Sequence, residues 1–401
     1  MAIETQEQNH SITQTVSQRY AKAVINGEQL CCPTGYNHKD LAQFIPEPVL
    51  KVSYGCGTPV GLSTVQPGEV VLDIGSGGGI DCFEASRKVG PQGRVIGIDM
   101  TDEMLVLART HAPTVASNLG YPEPNVDFRK GFADAIPVED GQVDLIVSNC
   151  VINLAPDKGK VFQEMFRVLR PGGRFTISDI VADQPIPNYL IYDRAKWGDC
   201  LSGALTIKDY WGGLRNAGFK GLHQVNSIPW RVIDGIQFLS VTLAGYKLAV
   251  TSTHPSSAFA TLTGPFSQVI DELGTKFTRG NPQQIDERTA ALLALPPYQD
   301  RFIIVERPVT LSVQDSRILV VYPEEAPCVW EGQFAVLTGP FLAVCDDDHH
   351  TYQCGEPVEI CSKTYKVLQT TSYQPYFATI NRSRGGVESD PVICEPSTGC
   401  C

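Results

Sequence analysis

Three cysteines sit in local contexts that suit a ligand better than a packing residue. Tyr54-Gly55-Cys56-Gly57 puts a thiol on a glycine-flanked turn, outside any apolar stripe. Cys150 follows an apolar run in Ser148-Asn149-Cys150-Val151-Ile152-Asn153-Leu154, and Cys200 lies in Trp197-Gly198-Asp199-Cys200-Leu201-Ser202-Gly203-Ala204-Leu205. A single free cysteine is more often buried and inert, and Cys82, in a helical apolar pattern, takes that reading. Thiolates are soft ligands that favour soft, thiophilic centres over hard, oxygen-preferring ions. A set of three therefore points to a soft element.

A second constellation is the glycine-rich run Leu72-Asp73-Ile74-Gly75-Ser76-Gly77-Gly78-Gly79, which follows an expected strand and opens an expected helix. Gly75 and Gly77 allow a tight turn and close approach to a ligand. Asp99 ends the next strand, where a carboxylate can accept both hydroxyls of a ribose. The run lacks the Gly-Lys-Ser/Thr ending of a triphosphate loop. On these residues alone a dinucleotide site remains open beside other nucleoside ligands.

Groups so spaced need a parallel sheet to hold them. Apolar runs predict strands at 70–74, 93–99, 126–128, 144–148 and 174–178, with two more between 218 and 247, seven in all. Val161, Phe162, Met165, Phe166 and Leu169 recur at helical spacing until Arg170-Pro171-Gly172-Gly173 breaks the pattern. The expected fold class is α/β, a seven-stranded, mostly parallel sheet, followed by a smaller β-rich α+β domain. Residues 1–62 read as an N-terminal segment whose first 20 residues are frayed, and residues 63–250 as the main domain. The Ser/Thr/Pro-rich stretch 251–265 reads as a linker and 266–401 as the C-terminal domain, with β-rich stretches at 302–305, 317–322 and 334–337.

The chain has 401 residues, 42% hydrophobic and 19% charged, which excludes a disordered class. With 32 Lys+Arg against 44 Asp+Glu its net charge is −12, which argues against nucleic acid as a partner. No run of about 18 apolar residues is present to cross a membrane, and the polar N-terminus lacks a secretion signal, so the expected location is cytoplasmic. In a reducing compartment 13 cysteines are not a static disulfide framework.

The Asp-Ile-Gly-Ser-Gly motif resembles the first motif of class I S-adenosylmethionine-dependent methyltransferases, a Rossmann-like fold. Gly131-Phe132-Ala133-Asp134-Ala135-Ile136-Pro137 and the Leu169–Gly173 turn extend that likeness. The resemblance implies S-adenosyl-L-methionine as methyl donor, with Asp73 facing the cationic ligand. Around it would lie Gly75, Ser76, Gly77, Asp99, Met100, Asn149, and Phe132, Ala133 and Asp134 about the adenine. Tyr-Gly-Cys-Gly, Gly-Ile-Asp-Met-Thr at 97–101, Ser-Asn-Cys-Val-Ile-Asn-Leu and Trp-Gly-Asp-Cys-Leu-Ser-Gly-Ala-Leu resemble, more narrowly, the arsenite methyltransferases over about residues 25–245. That likeness implies Cys56, Cys150 and Cys200 as the sulfur ligands of As(III), a small-molecule substrate delivered as thiol conjugates. It also implies an upstream redox cysteine that pairs with Cys56. Cys31 and Cys32 both qualify, with Cys32 favoured, and electrons would come from thioredoxin or glutathione. The implied activity is methylation of arsenite and then methylarsenite, for detoxification, with no nucleic-acid or membrane partner. The alternatives are a methyltransferase for a small organic acceptor and a non-catalytic arsenic-sequestering thiol protein.

Cys345, His349, His350, Cys354 and Cys361 offer zinc-type ligands, but their spacing matches no regular finger, and a solvated loop is the favoured reading. The adjacent Cys400 and Cys401, with Cys394, suit arsenic capture or disulfide resolution.

Overall fold

A computed structural model describes residues 2–26, 35–52, 54–191, 200–312, 314–315, 317–319, 329–330, 332–381 and 392–393. They fall into two compact units, residues 1–219 with 225–247, and residues 220–224 with 248–401.

In the first unit the helices α1 (Ala2–Asn26), α2 (His38–Leu41), α3 (Glu47–Lys51) and α4 (Pro59–Leu62) precede the sheet. There follow β1 (Val70–Ile74), α5 (Ile80–Val89), β2 (Arg94–Asp99), α6 (Asp102–Asn118), β3 (Val126–Lys130) and β4 (Val143–Asn149). The sequence continues through α7 (Lys158–Val168), β5 (Leu169–Ala182), β6 (Leu205–Thr206), β7 (Lys220–Ile233) and β8 (Ile236–Tyr246). The sheet order is β3-β2-β1-β4-β5-β8-β7, with β6 also paired to β5. Strands β1 to β6 pair in parallel, and β8 runs antiparallel to β5. The sheet thus has the seven expected strands and the two-residue β6, which is too short to read from sequence.

Val71, Leu72 and Ile74 of β1 are fully buried, as expected for a strand covered on both faces. Helix α5 packs Cys82, Phe83, Ala85 and Val89 into the same core as Val71, Val95, Leu145 and Val147. Because β1 lies between β2 and β4, the strand order reverses beside it, and the carboxyl ends at Ile74, Asp99 and Asn149 share one edge. That edge is where open α/β sheets take ligands.

The start of the chain differs from its frayed expectation. It is helical in α1, and Val16 and Ala23 are buried. Ile12, Val16 and Tyr20 recur at a spacing of four and pack into one cluster, a stripe that the surrounding polar residues obscure.

The second unit is built from short antiparallel strands, as its β-rich reading anticipates. Three sheets, in order Lys276–Thr278, Gln268–Ile270, Ala343–Cys345, Thr351–Gln353, then Pro282–Asp286, Pro255–Leu262, Phe302–Val305, then Pro357–Ile360, Gln333–Leu337, Phe377–Asn381, surround an aromatic core. Phe266 sits centrally in it, its ring 5.2 Å from Tyr376 and 5.4 Å from Tyr373. The expected linker is the exception. Pro255–Leu262 is the middle strand of its sheet, pairing on both edges, with Ala260 and Leu262 fully buried. Its hydroxyls serve the fold, Ser256 Oγ donating to Ile285 O (2.7 Å) and Thr261 Oγ1 to Val309 O (2.9 Å). Arg317–Leu319 forms no strand, and 320–322 lie outside the described residues.

Leu262→Ala is expected to cost about 2–5 kcal/mol of stability in the second unit, the range for truncating a buried leucine. Denaturant unfolding checks this, and an unchanged transition would mean that the segment is the tether its composition suggests.

Candidate active site

The edge of the first sheet opens into a cavity of about 490 Å³, within the usual range for small-molecule sites. The glycine loop forms its floor. Gly75 has φ of +76°, and a Cβ there would lie 2.2 Å from Val151 Cγ2. Gly75 N and Ser76 N both donate to Ile98 O, at 2.8 and 2.9 Å, pinning the loop to the end of β2. Asp99 accepts from Gly77 N through Oδ2 (2.9 Å) and from Thr101 N through Oδ1 (2.7 Å). Thr13, Gln14, Ser17 and Tyr20 of α1 close another wall, and Phe132, 44% exposed, offers an apolar ring at the rim.

Three carboxylates crowd this floor. Burial pushes Asp99 above the usual carboxylate range and Asp73 well above it, the latter aided by Asp81 and Asp99. Burial takes Asp81 up to about 7 despite its hydrogen bond from Tyr36. Ser76 Oγ and Asp81 Oδ1 are buried without a hydrogen-bond partner among the described residues. A glycine cradle, a ribose-type carboxylate, a rim aromatic and an unsatisfied acid fit an adenosyl ligand that carries positive charge.

At one side the cavity is lined by Tyr54, Gly55, Asn149 and Cys150, which lead to the thiols. Asn149 Oδ1 accepts from Cys56 N (2.9 Å) and Gly57 N (3.2 Å), and its Nδ2 donates to Gly57 O (2.8 Å). Cys150 and Cys200 adopt φ of +57° and +59°, conformations uncommon for residues with a Cβ. All three cysteines are buried in one cluster. Cys56 and Cys150 are joined as a disulfide with Cα atoms 5.9 Å apart, and Cys200 Sγ donates to Cys150 O at 3.4 Å. An Asp179 carboxylate oxygen lies within 4.8 Å of both bridged sulfurs. That carboxylate accepts from Asn153 N, Ile180 N and the Tyr210 hydroxyl, at 3.0, 3.0 and 3.3 Å. Burial raises it to about 7 and lowers nearby Lys158 to about 8.

A family model described as a methyltransferase domain matches residues 66–218, and one described as a domain of unknown function matches 260–320 and 324–399. An arsenite methyltransferase from Aquipseudomonas alcaligenes is 36% identical over 379 residues, covering 92% of this chain and 90% of that protein. The chain belongs to the arsenite methyltransferase family. The Homo sapiens arsenite methyltransferase is 31% identical over 338 residues, 80% of this chain and 86% of that one. A Halobacterium salinarum member is 42% identical over 208 residues, 49% of this chain and 51% of its own length. A solved arsenic(III) S-adenosylmethionine methyltransferase from Chlamydomonas reinhardtii superposes with a TM-score of 0.54 at 30% identity, over 70% of this chain and all 100% of that one.

In this family member Gly75, Ser76, Gly77, Asp99, Met100, Phe132, Ala133, Asp134 and Asn149 all line the one cavity. Asp73 does not line it. Its side chain leaves β1 toward α5, where Cys82 Sγ donates to Oδ2 at 3.3 Å, and Asp81 takes the lining position. Cys82 is core, as its pattern suggests, with that added polar contact. Cys56 has Cys150 as its disulfide partner and not an upstream cysteine, because the two turns bring their Cα atoms into bridging range. Cys31, Cys32, Cys394, Cys400 and Cys401 lie outside the described residues, as do Trp197, Gly198 and Asp199. Among the described residues no group in the second unit gathers three metal-type ligands. Asp346 there closes a turn, accepting from His350 N (2.8 Å) and facing its Nδ1 (2.9 Å). Sequence reasoning missed Tyr36, Asp81, Asp179 and the α1 wall. Ser178-Asp179, near the carboxyl end of a strand, was the available signal for one of them.

Asp179 is protonated more readily in the folded chain than in the unfolded one, whose value is near 3.8. Its stabilising contribution is therefore complete below about pH 4 and is lost as pH rises through about 7, by up to about 4 kcal/mol. Unfolding of the ligand-free protein between pH 4 and 8 should show that decline, and Asp179→Asn should make it shallower, leaving the share of Asp81, Asp73 and Asp99. Parallel profiles for the two proteins would contradict the assignment.

Proposed function

We propose that the chain transfers methyl groups from S-adenosylmethionine to trivalent arsenic, taking arsenite first and methylarsenite next. The observation that carries this reading is the meeting of Cys56, Cys150 and Cys200, from three separate segments, beside a cavity suited to an adenosyl ligand. When bound, S-adenosylmethionine supplies an electrophilic methyl group on a sulfonium. Asp99 and the glycine loop hold its nucleoside, and the buried acids favour its positive charge.

The thiols exchange with arsenite. Three As–O bonds give way to three As–S bonds, and the thiol protons leave in three waters. Arsenic bound by sulfur keeps its lone pair, so it is itself the nucleophile and needs no general base. Fixing it beside the donor converts a bimolecular encounter into a near-attack arrangement. Methyl transfer oxidises arsenic formally by two electrons, and a thiol pair that leaves as a disulfide returns them. A Cys56–Cys150 disulfide is the form such a step leaves behind, and it must be reduced before both sulfurs can ligate again. We assign that reduction to thioredoxin or glutathione through thiol–disulfide exchange, with Cys32 as the relay in preference to Cys31. The reaction belongs in the cytoplasm, where reduced thiols persist, and serves detoxification.

Cys150→Ser and Cys200→Ser should each lower methylation of arsenite roughly 100-fold or more, the scale of losing substrate positioning, with donor binding unchanged. Product speciation by mass and titration calorimetry check both halves, and normal turnover by either variant would sink the three-thiolate model. Cys32→Ser should slow repeated turnover more than Cys31→Ser, and full activity in both would remove their redox role.

A further inference from the structure

The donor cavity contains a carboxylate that the expected ligand set does not use. Asp81, in the first turn of α5, lines the cavity and is 4% exposed. Its Oδ2 accepts from the Tyr36 hydroxyl at 2.5 Å and faces Asn149 Nδ2 at 3.4 Å. Its Oδ1 has no hydrogen-bond partner among the described residues. A buried carboxylate oxygen left unsatisfied costs the full desolvation of that group.

The surrounding charges make that oxygen suited to a cation. Asp73 on β1 and Glu84 on α5 both raise the negative potential at Asp81. Lys88 is the nearby positive group, but its Nζ donates to Val60 O at 2.6 Å and pairs with Glu84 at 3.4 Å. Asp73 has already taken the Cys82 thiol as its donor and does not line the cavity. A cationic N–H donor satisfies both needs at once, supplying positive charge and a charge-assisted hydrogen bond.

We propose that Asp81, and not Asp73, receives the α-ammonium of the donor's methionine moiety, with Tyr36 and Asn149 holding its carboxylate in place. The assignment rests on the adenosyl-donor reading above. Asn149 also holds the Cys56 turn, so the residue that fixes the ammonium partner is the one that fixes an acceptor thiol.

The test uses the full chain without arsenic and two thioether probes, S-adenosylhomocysteine and its analogue with hydrogen in place of the ammonium. By titration calorimetry the wild type should bind the ammonium-bearing probe roughly 10- to 100-fold more tightly, the range for a hydrogen bond between charged groups. Asp81→Asn should reduce that ratio to about 3-fold or less while binding the deaminated probe as the wild type does. Asp73→Asn should retain the ratio. An undiminished ratio in Asp81→Asn, or its collapse in Asp73→Asn, would overturn the assignment. If Asp81→Asn does not fold, the wild type still decides. Burial holds Asp81 near 7 among Tyr36, Asp73, Glu84, Lys88 and Asn149, so ammonium binding at pH 7 should release about half a proton per ligand that the deaminated probe does not. Equal proton release by both probes counts against it. Failure of the wild type to bind either probe would instead remove the adenosyl-donor reading itself.

Discussion

The side-chain amide of Asn149 joins the two halves of the candidate site, the cavity and the cysteine turn. It ends β4 at the middle of the sheet, where its Oδ1 accepts two backbone N–H groups from the Cys56 turn. Its Nδ2 meets Gly57 O, the Tyr36 hydroxyl and, more distantly, Asp81. An apolar residue of the same shape would leave these groups unpaired, at about 1–3 kcal/mol each. An aspartate would supply the acceptor and lose both donors. The fit explains the glycines on the turn. A Cβ at Gly55 would lie 2.5 Å from Asn149 Nδ2, and one at Gly57 would lie 2.4 Å from Ser178 Oγ. Cys150 follows Asn149 directly and turns through positive φ to meet Cys56. One strand end thus delivers one sulfur and positions another.

The same edge carries an electrostatic cost. Asp73, Asp81 and Asp179 are buried and Asp99 is half-buried, and each is held above its ordinary range chiefly by desolvation. Surface acids such as Asp40 and Asp127 instead have arginine partners that hold them low. The fold therefore spends stability where a ligand must supply the missing charge, a familiar trade at functional sites. The chain's overall acidity says nothing of this, because the effect lies in which acids have been taken out of water.

Sequence made the scaffold legible where one physical signal was sufficient. The apolar run at β1 matched the strand to the residue, because a strand buried on both faces leaves no polar alternation to blur it. The glycine loop was legible because only glycine tolerates the positive φ and the contact with Val151 at Gly75. Where two demands overlap, the signal failed. In Pro255–Leu262, small hydroxyl residues bond across a sheet and so resemble a loop by composition. In α1, a narrow stripe at Ile12, Val16 and Tyr20 lies within polar residues that face water or the cavity. Asp73 and Asp81 both sit near the loop, and only coordinates show which of them Cys82 has already engaged.

Thiol chemistry adds a constraint that neither site has alone. A sulfur in a disulfide has no thiolate to offer a soft centre, so the Cys56–Cys150 pair cannot be oxidised and ligate through both sulfurs at once. On the proposed reading, arsenic loading therefore waits on reduction, and the reductant controls access to the acceptor site. Cys200, the third sulfur, is buried with its Sγ on the Cys150 carbonyl. It can keep the pocket's shape while the other two change state. In the second unit, Cys361 faces Thr364 Oγ1 at 3.3 Å, and Cys345 donates to Asp346 O at 3.6 Å. Those thiols are engaged locally. The Cys56–Cys150 pair, at the carboxyl edge of the first sheet where the methyl donor would be held, is thus the pair whose disulfide and whose soft-ligand binding exclude one another.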